Sequence, residues 1–135
     1  ASVRRMEAAE RPVPEPVRLA PPDAVLLVLS NVPDQEVAAT IARALVDERL
    51  AACVNILGAC RSIYRWRGEV EEADEVTLLV KTTRRRHAAC LQRLEALHPY
   101  EVPEIVTIAP DAVWPAYASW AIAETRVASS RRDQD

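Results

Sequence analysis

The sequence contains few of the residues that build phosphate loops and disulfide frameworks. Of its 135 residues only two are glycine, Gly58 and Gly68, and none is phenylalanine. A phosphate-cradling loop needs several glycines, because its backbone must approach the phosphates closely, so this kind of nucleotide site is excluded. The three cysteines, Cys53, Cys60 and Cys90, are an odd number without C-x-x-C spacing. This favours reduced thiols over disulfides.

Long apolar runs are also missing. The longest run, residues 24–29, is far shorter than the ~20 residues that span a bilayer, and no stretch has the apolar core of a secretory signal. We therefore expect a cytoplasmic protein without a membrane segment. The formal net charge is −3 and both signs are interspersed, which argues against a nucleic-acid surface. Small molecules or other proteins are the expected partners.

Half of the residues are apolar, which suffices for the core of one globular domain. Residues 1–23 hold five of the ten prolines, alternate in charge and contain no apolar face. We predict a disordered arm over residues 1–23, one domain over residues 24–127 and a disordered tail over residues 128–135.

The apolar periodicities predict the order βαββαβ followed by one further helix. The run at residues 24–29 lacks alternation, which indicates a central strand buried on both faces. Asn31 or Asp34 is expected to cap the first helix, and Thr82 or Thr83 the second. The remaining predicted elements are a helix over 33–49, strands over 51–57, 60–67 and 76–82, a helix ending near 97, a strand over 104–109 and a helix over 111–126.

A long hairpin is predicted over residues 60–80. Cys60, Ser62, Tyr64 and Trp66 share one face and alternate with Arg61, Ile63, Arg65 and Arg67, and the returning strand is acidic, as cross-strand pairing favours. The order of elements is that of an α+β, ferredoxin-like fold, with a four-stranded antiparallel sheet and both main helices on one face. We expect neighbouring subunits to cover the other face.

The segment His98–Glu104 carries an imidazole, a phenol and two carboxylates between two prolines. Each proline fixes its own φ and favours extended backbone at the preceding residue, so these groups should point in defined directions. His98 suits a metal ligand, a general base or a histidine bonded to backbone. Tyr100, Glu101 and Glu104 suit a ligand site, but they can equally bond backbone amides or arginines.

Other candidate sites each have a structural alternative. Lys81 and Arg84–Arg86 form a basic cluster at a helix start, which suits either an anion site or a solvated face. Packing explains Cys53 and Cys90 better than reactivity does. Tyr64 and Trp66 suit an interface better than base stacking. The sequence has no motif that pairs a nucleophile with a general base, so we do not expect an enzyme.

Taken together, several segments resemble the CutA family of divalent-cation tolerance proteins over about residues 24–126. The motifs that carry the resemblance are Asn31–Pro33, Leu50–Asn55, Ser62–Gly68, Lys81–Thr82, His98–Glu104 and Tyr117–Trp120. The resemblance implies a ferredoxin-like fold assembled as a tight homotrimer, similar to the PII signalling proteins, with long hairpins contacting adjacent subunits. It also implies a role in tolerance to copper and other divalent cations. At the positions that match a proposed copper site of the family, this sequence has Ser30, Leu97 and His98. Serine and leucine are poor copper ligands, so only His98 is left to bind copper.

Two functional hypotheses follow. In the first, His98, Glu101 and Glu104 hold Cu(II) or another divalent cation that folding does not require. In the second, a PII-like sensor or scaffold binds an anionic small molecule at a cleft between subunits. The residues assigned to that cleft are Asn31, Lys81, Arg84 and Tyr100, and those assigned to the subunit interface are Cys53, Tyr64, Trp66 and Trp120.

Overall fold

A computed structural model of the protein describes residues 21 and 23–127. This part of the chain forms four strands and three helices. The predicted arm, except residues 21 and 23, and the predicted tail lie outside these residues. The strands form one antiparallel sheet in the order β2-β3-β1-β4, which confirms the ferredoxin-like prediction. The elements are β1 (Val25–Val32), α1 (Gln35–Asp47), β2 (Cys53–Trp66), β3 (Glu69–Thr83), α2 (Arg84–Leu97), β4 (Ile105–Ile108) and α3 (Pro115–Glu124).

Strand β1 is central, as predicted, but it continues to Val32 instead of ending at residue 29. Its burial alternates: Val28 and Val32 are fully buried, whereas Leu27 and Leu29 are only half-buried. Alternate side chains point to opposite faces of a sheet, so one face of this strand lies in the main core, and the other face is buried only at Val25, which is 6% exposed. Burial on both faces is therefore found only at the start of the strand, and Leu27 and Leu29 do not fit the prediction in the single chain.

Helices α1 and α2 cover the buried face of the sheet. Their apolar stripes, which include Ile41 and Leu45 of α1 and Cys90 and Leu94 of α2, form one cluster with the sheet residues around Leu78. The Asp34 side chain accepts the backbone N–H of Val37 at 2.8 Å, which confirms one of the two predicted caps of α1.

Thr83 is the N-cap residue of α2, which confirms the predicted position, but its side chain makes no capping hydrogen bond to the described helix. Its hydroxyl lies 3.5 Å from the hydroxyl of Thr125. The Thr82 hydroxyl donates instead to the Leu50 carbonyl at 2.6 Å, inside the core. These hydroxyls satisfy buried groups of other elements, which local sequence patterns do not reveal.

The hairpin of β2 and β3 is long, with strands of 14 and 15 residues. The two predicted pieces of β2 are one strand, and the register shifts between Ile56 and Ala59, beside Gly58. Arg67 and Gly68 form the turn with φ of 52° and 84°. Two positive φ values mark the turn type whose twist matches a hairpin.

Helix α3 packs on the other face of the sheet. Its Ala121 clusters with Val25 and Ala52, which lie on the opposite side of the sheet from Val28. The helix begins at Pro115 and not at residue 111, because proline suits the first helical position, where its missing N–H is not needed. The chain thus covers one end of this face by itself.

Candidate functional site

The proline loop, residues 98–104, connects α2 to the edge strand β4. His98 has an extended backbone, with ψ of 133°, as expected before a proline, and this ends α2 at Leu97. Because β4 pairs with β1, the loop returns beside the end of β1. This places His98 next to Asn31, although the two residues are far apart in sequence.

Both ring nitrogens of His98 have protein partners. Its Nδ1 accepts the backbone N–H of Tyr100 at 3.3 Å, so Nε2 carries the proton and donates to the Asn31 carbonyl at 2.8 Å. The ring is 7% exposed and lies 4.9 Å from the Tyr100 ring, centroid to centroid. A cation can be bound by this imidazole only if one of these two bonds breaks.

A buried carboxylate lies beneath the proline loop. The Tyr100 hydroxyl donates to Glu75 at 2.8 Å, and Glu75 is only 8% exposed. Burial raises the pKa of the Tyr100 phenol well above its ordinary value, and the bond to Glu75 raises it further. The phenol therefore stays protonated and keeps its hydrogen bond to Glu75 at neutral pH.

Asn31 links three segments of the chain. Its amide donates to Glu104 at 3.0 Å, and its side-chain oxygen accepts the hydroxyl of Thr77 at 2.6 Å. The Thr77 hydroxyl also lies 3.5 Å from the thiol sulfur of Cys60. Strands β1, β2 and β3 and the proline loop are therefore joined by one polar network.

The tip of the hairpin contacts the proline loop through Arg67. Its guanidinium lies 3.2 Å from a carboxylate oxygen of Glu101 and 5.1 Å from the centre of the Trp66 ring. Both members of the ion pair are largely exposed, so water screens it strongly. This contact joins the tip of the hairpin to the loop at the surface.

A cavity of about 770 Å³ lies between the hairpin and the proline loop. Its walls combine aromatic and acidic side chains. Three carboxylates and three aromatic rings contribute to it. The lining residues are Asn31, Ser62, Ile63, Tyr64, Trp66, Glu75, Pro99, Tyr100, Glu101, Val102 and Glu104.

The predicted metal ligands are only partly brought together. Glu101 and Glu104 line the cavity, whereas His98 lies behind Asn31 and is not among the lining residues. Within residues 21 and 23–127, no three side chains of histidine, cysteine, aspartate or glutamate are grouped so as to hold a metal ion. The matching position Ser30 is fully buried, and its hydroxyl has no hydrogen-bond partner in the part of the chain that the structure describes.

The residues predicted for an anion cleft fall into two places. Asn31 and Tyr100 line the cavity. Lys81 pairs in register with Leu27, four residues along β1 from Asn31, and its ammonium lies 5.9 Å from the Tyr117 ring. Arg84 begins α2. One chain therefore does not gather these four residues around one ligand.

The residues predicted for the subunit interface also fall into two places. Tyr64 and Trp66 line the cavity and are partly exposed on β2. Trp120 is exposed on α3, with its ring 5.5 Å from the Tyr117 ring. Cys53 is half-buried and lies near Tyr117. The pKa of the Tyr117 phenol is raised mainly by burial and further by its interaction with Cys53.

Glu75 is a cavity residue that was not predicted from the sequence. In the sequence it is one of several acids of the returning strand, but in the structure it lies directly opposite Cys60. Since Cys60 shares a face with Tyr64 and Trp66, that register could have placed the carboxylate on the aromatic face. Its bond to Tyr100 joins residues that are distant in sequence, and no local pattern indicates it.

A model of the family described as "CutA1 divalent ion tolerance protein" matches residues 26–124, well over half of the chain. The chain belongs to the CutA1 family. The Divalent-cation tolerance protein CutA of Thermus thermophilus is 60% identical over 82 residues, which are 61% of this chain and 80% of that protein. Protein CutA of Mus musculus is 38% identical over 99 residues. The aligned region covers 73% of this chain and 56% of the mouse protein.

The fold also agrees with solved CutA1 structures. The structure of the divalent cation tolerance protein from Thermus thermophilus matches with a TM-score of 0.73 and 51% identity, over 76% of this chain and 99% of that one. The name of the Thermus relative describes cation tolerance and not an enzymatic activity. Among the helices of residues 21 and 23–127, none has the length and apolar character needed to cross a membrane.

Proposed function

We propose that this CutA1 protein serves divalent-cation tolerance by binding a cation, such as Cu(II), at the cavity between the hairpin and the proline loop. The observation that carries the proposal is that Glu101 and Glu104 line one cavity together with Glu75. Among the described residues these side chains are not grouped closely enough to hold an ion, so binding requires them to move together. Carboxylate oxygens are common ligands of divalent cations, and imidazole suits copper. The core is built of apolar side chains, so folding does not require the cation.

His98 takes part through Asn31. The Asn31 carbonyl accepts from His98 while the Asn31 amide donates to Glu104. The bond of the imidazole goes to the backbone carbonyl of Asn31, so a cation reaches His98 only when that bond breaks. In this proposal His98 then joins Glu101 and Glu104 as a ligand from behind the cavity wall.

We propose a cytoplasmic homotrimer as the working form of the protein. Exposed apolar side chains of the hairpin, such as Ile63 at 66% and Val70 at 62%, support an interface there. The predicted interface residues Tyr64, Trp66 and Trp120 are also partly exposed in the single chain. Three free cysteines suit a reducing compartment.

Calorimetric titration of chelator-stripped protein with Cu(II) and Zn(II), with thiols blocked, tests the cation site. We expect saturable binding that is lost in His98→Ala and weakened in Glu104→Gln. The matched control is His87→Ala, because His87 is the other of the two histidines and its ring bonds Thr107, which does not line the cavity. Equal binding in wild type and His98→Ala would contradict the proposal. It would favour a PII-like sensor that uses Lys81 and Arg84 of adjoining subunits for an anion.

A further inference from the structure

We infer that Lys81 of one subunit forms an ion pair with Glu75 of the next subunit in the assembled protein. The inference rests on the homotrimer of the proposed function, but it does not depend on the cation site. The two charged side chains lie at opposite ends of one sheet face. Within the described part of the single chain, neither of them has an ion-pair partner.

Glu75 and Lys81 point to the sheet face opposite helices α1 and α2. They alternate along β3 with Val76, Leu78 and Val80, which are buried in the core beneath these helices. Six residues separate Glu75 from Lys81, which corresponds to roughly 20 Å along a strand. A lysine side chain is much shorter than this distance, so Lys81 cannot neutralise Glu75 of its own chain.

The Glu75 carboxylate is the more costly of the two charges in a single chain. It is only 8% exposed, and its partner is the neutral hydroxyl of Tyr100 at 2.8 Å. A carboxylate that is removed from water without an opposite charge is strongly destabilising. A cationic side chain from a neighbouring subunit removes this cost when the subunits assemble.

Lys81 is the basic residue that matches Glu75 on this face. It is half-buried, and its ammonium contacts the Tyr117 ring, at 5.9 Å from the ring centre. The hairpin arginines Arg61 and Arg67 already pair with carboxylates of their own chain. Arg65 alternates with Tyr64 and Trp66, so it lies on the other face of the hairpin.

The surface between the two charges is apolar, as a contact between subunits requires. Leu79 lies there half-buried, and the edge strand β4 adds Val106 and Ile108, which are 47% and 42% exposed. This surface continues towards the rings of Tyr64 and Trp66, which belong to the proposed interface. A neighbouring subunit that covers the apolar surface also reaches the charges at its two ends.

The proposed pair joins unlike ends of two subunits. Such a heterologous contact closes into a ring when the rotation between neighbours divides a full turn evenly, as it does in a trimer. Each subunit then contributes one charge of each sign. Three equivalent pairs form, and no Glu75 is left without a counterion.

Light scattering of charge-reversal variants of the full chain tests the inference, with circular dichroism to verify folding. We expect Glu75→Lys and Lys81→Glu each to lower the measured mass, because each variant places like charges opposite one another. The variant with both substitutions should regain the trimer mass, since the pair forms with its charges exchanged. Glu95→Lys, at an exposed position of α2, is the control and should leave the mass unchanged.

Neutral variants test the same pair if a reversal variant fails to fold. Glu75→Gln keeps an acceptor for the Tyr100 hydroxyl, and Lys81→Met keeps an unbranched side chain. We expect each to weaken assembly by about tenfold or more, as measured by dilution. The double variant should weaken it by less than the product of the two single effects, because both substitutions remove one interaction.

Three results would overturn the ion pair while leaving the homotrimer intact. They are trimeric single reversal variants, a folded double reversal variant that stays dissociated, and neutral variants whose effects multiply. A monomeric unmodified chain would overturn both the pair and the homotrimer. Titration with Cu(II) and Zn(II) decides the cation site separately, because Lys81 is not among the proposed metal ligands.

Discussion

At the scale of single residues, burial distinguishes the three cysteines from one another. Cys90 is fully buried between α2 and the sheet, whereas Cys53 and Cys60 are half-buried on β2. Burial raises the pKa of the Cys90 thiol to about 11, although the Thr82 hydroxyl and Arg86 act in the opposite direction. Thiolate is the reactive form, so Cys90 is inert at neutral pH.

We predict that iodoacetamide at pH 8 leaves Cys90 unmodified in the folded protein. Peptide mapping by mass spectrometry measures this directly. In denaturant all three cysteines should be labelled, which controls for access of the reagent. Labelling of native Cys90 as fast as in denaturant would contradict its described burial.

The sequence predicted the local conformation of His98 but not its partners. Pro99 dictates an extended His98, so the end of α2 could be predicted from two adjacent residues. The Asn31 carbonyl that holds the imidazole is 67 residues away. A bond between residues so far apart in the sequence depends on the pairing of β1 with β4, which local patterns do not specify.

At the scale of elements, the hairpin depends on its turn. Gly68 has φ of 84°, and the position of a Cβ there is open space. Any cost of a side chain at this position therefore comes from backbone conformation and not from a clash. Gly58 also has open space, but it is not among the residues with positive φ.

We predict that Gly68→Ala lowers the free energy of unfolding by about 1 kcal/mol, the usual cost of a left-handed residue with a Cβ. Gly58→Ala is the matched control. It should be neutral or slightly stabilising, because alanine restricts the unfolded chain. Urea denaturation followed by circular dichroism measures both. Equal destabilisation by the two substitutions would contradict a role for the positive φ.

The order of elements was predictable from periodicity, whereas several element boundaries were not. The alternation from Cys60 to Trp66 and the acidic returning strand predicted the hairpin, and Arg61 does pair with Glu72 and Asp74. The end of β1 at Val32 was missed, since Ser30 and Asn31 are polar and look like the start of a loop. Ladder bonds to β3 extend the strand through both residues.

At the scale of the whole molecule, apolar surface is concentrated on the hairpin and on the sheet face that α3 leaves open. The exposed side chains include Ile63, Tyr64, Trp66 and Val70. Strands of 14 and 15 residues are longer than the usual range of about 3–10 residues. A long hairpin with apolar sides is expected to be stabilised by contact with another chain.

We predict that light scattering gives three times the chain mass of 15.0 kDa. Trp66→Glu should lower the measured mass, because it places a charge in the proposed interface. Val46→Glu, at an exposed apolar position on α1, is the matched control and should leave the mass unchanged. A monomer for the unmodified chain at micromolar concentration would contradict the homotrimer.

The polar network around Asn31 also constrains when the site can form during folding. Its partners Thr77, His98 and Glu104 lie 46, 67 and 73 residues further along the chain. Contacts of such sequence separation carry a large loop-closure cost and form slowly. A nascent chain therefore cannot assemble the network until residue 104 has left the ribosome, immediately before β4 (Ile105–Ile108) adds the last strand of the sheet.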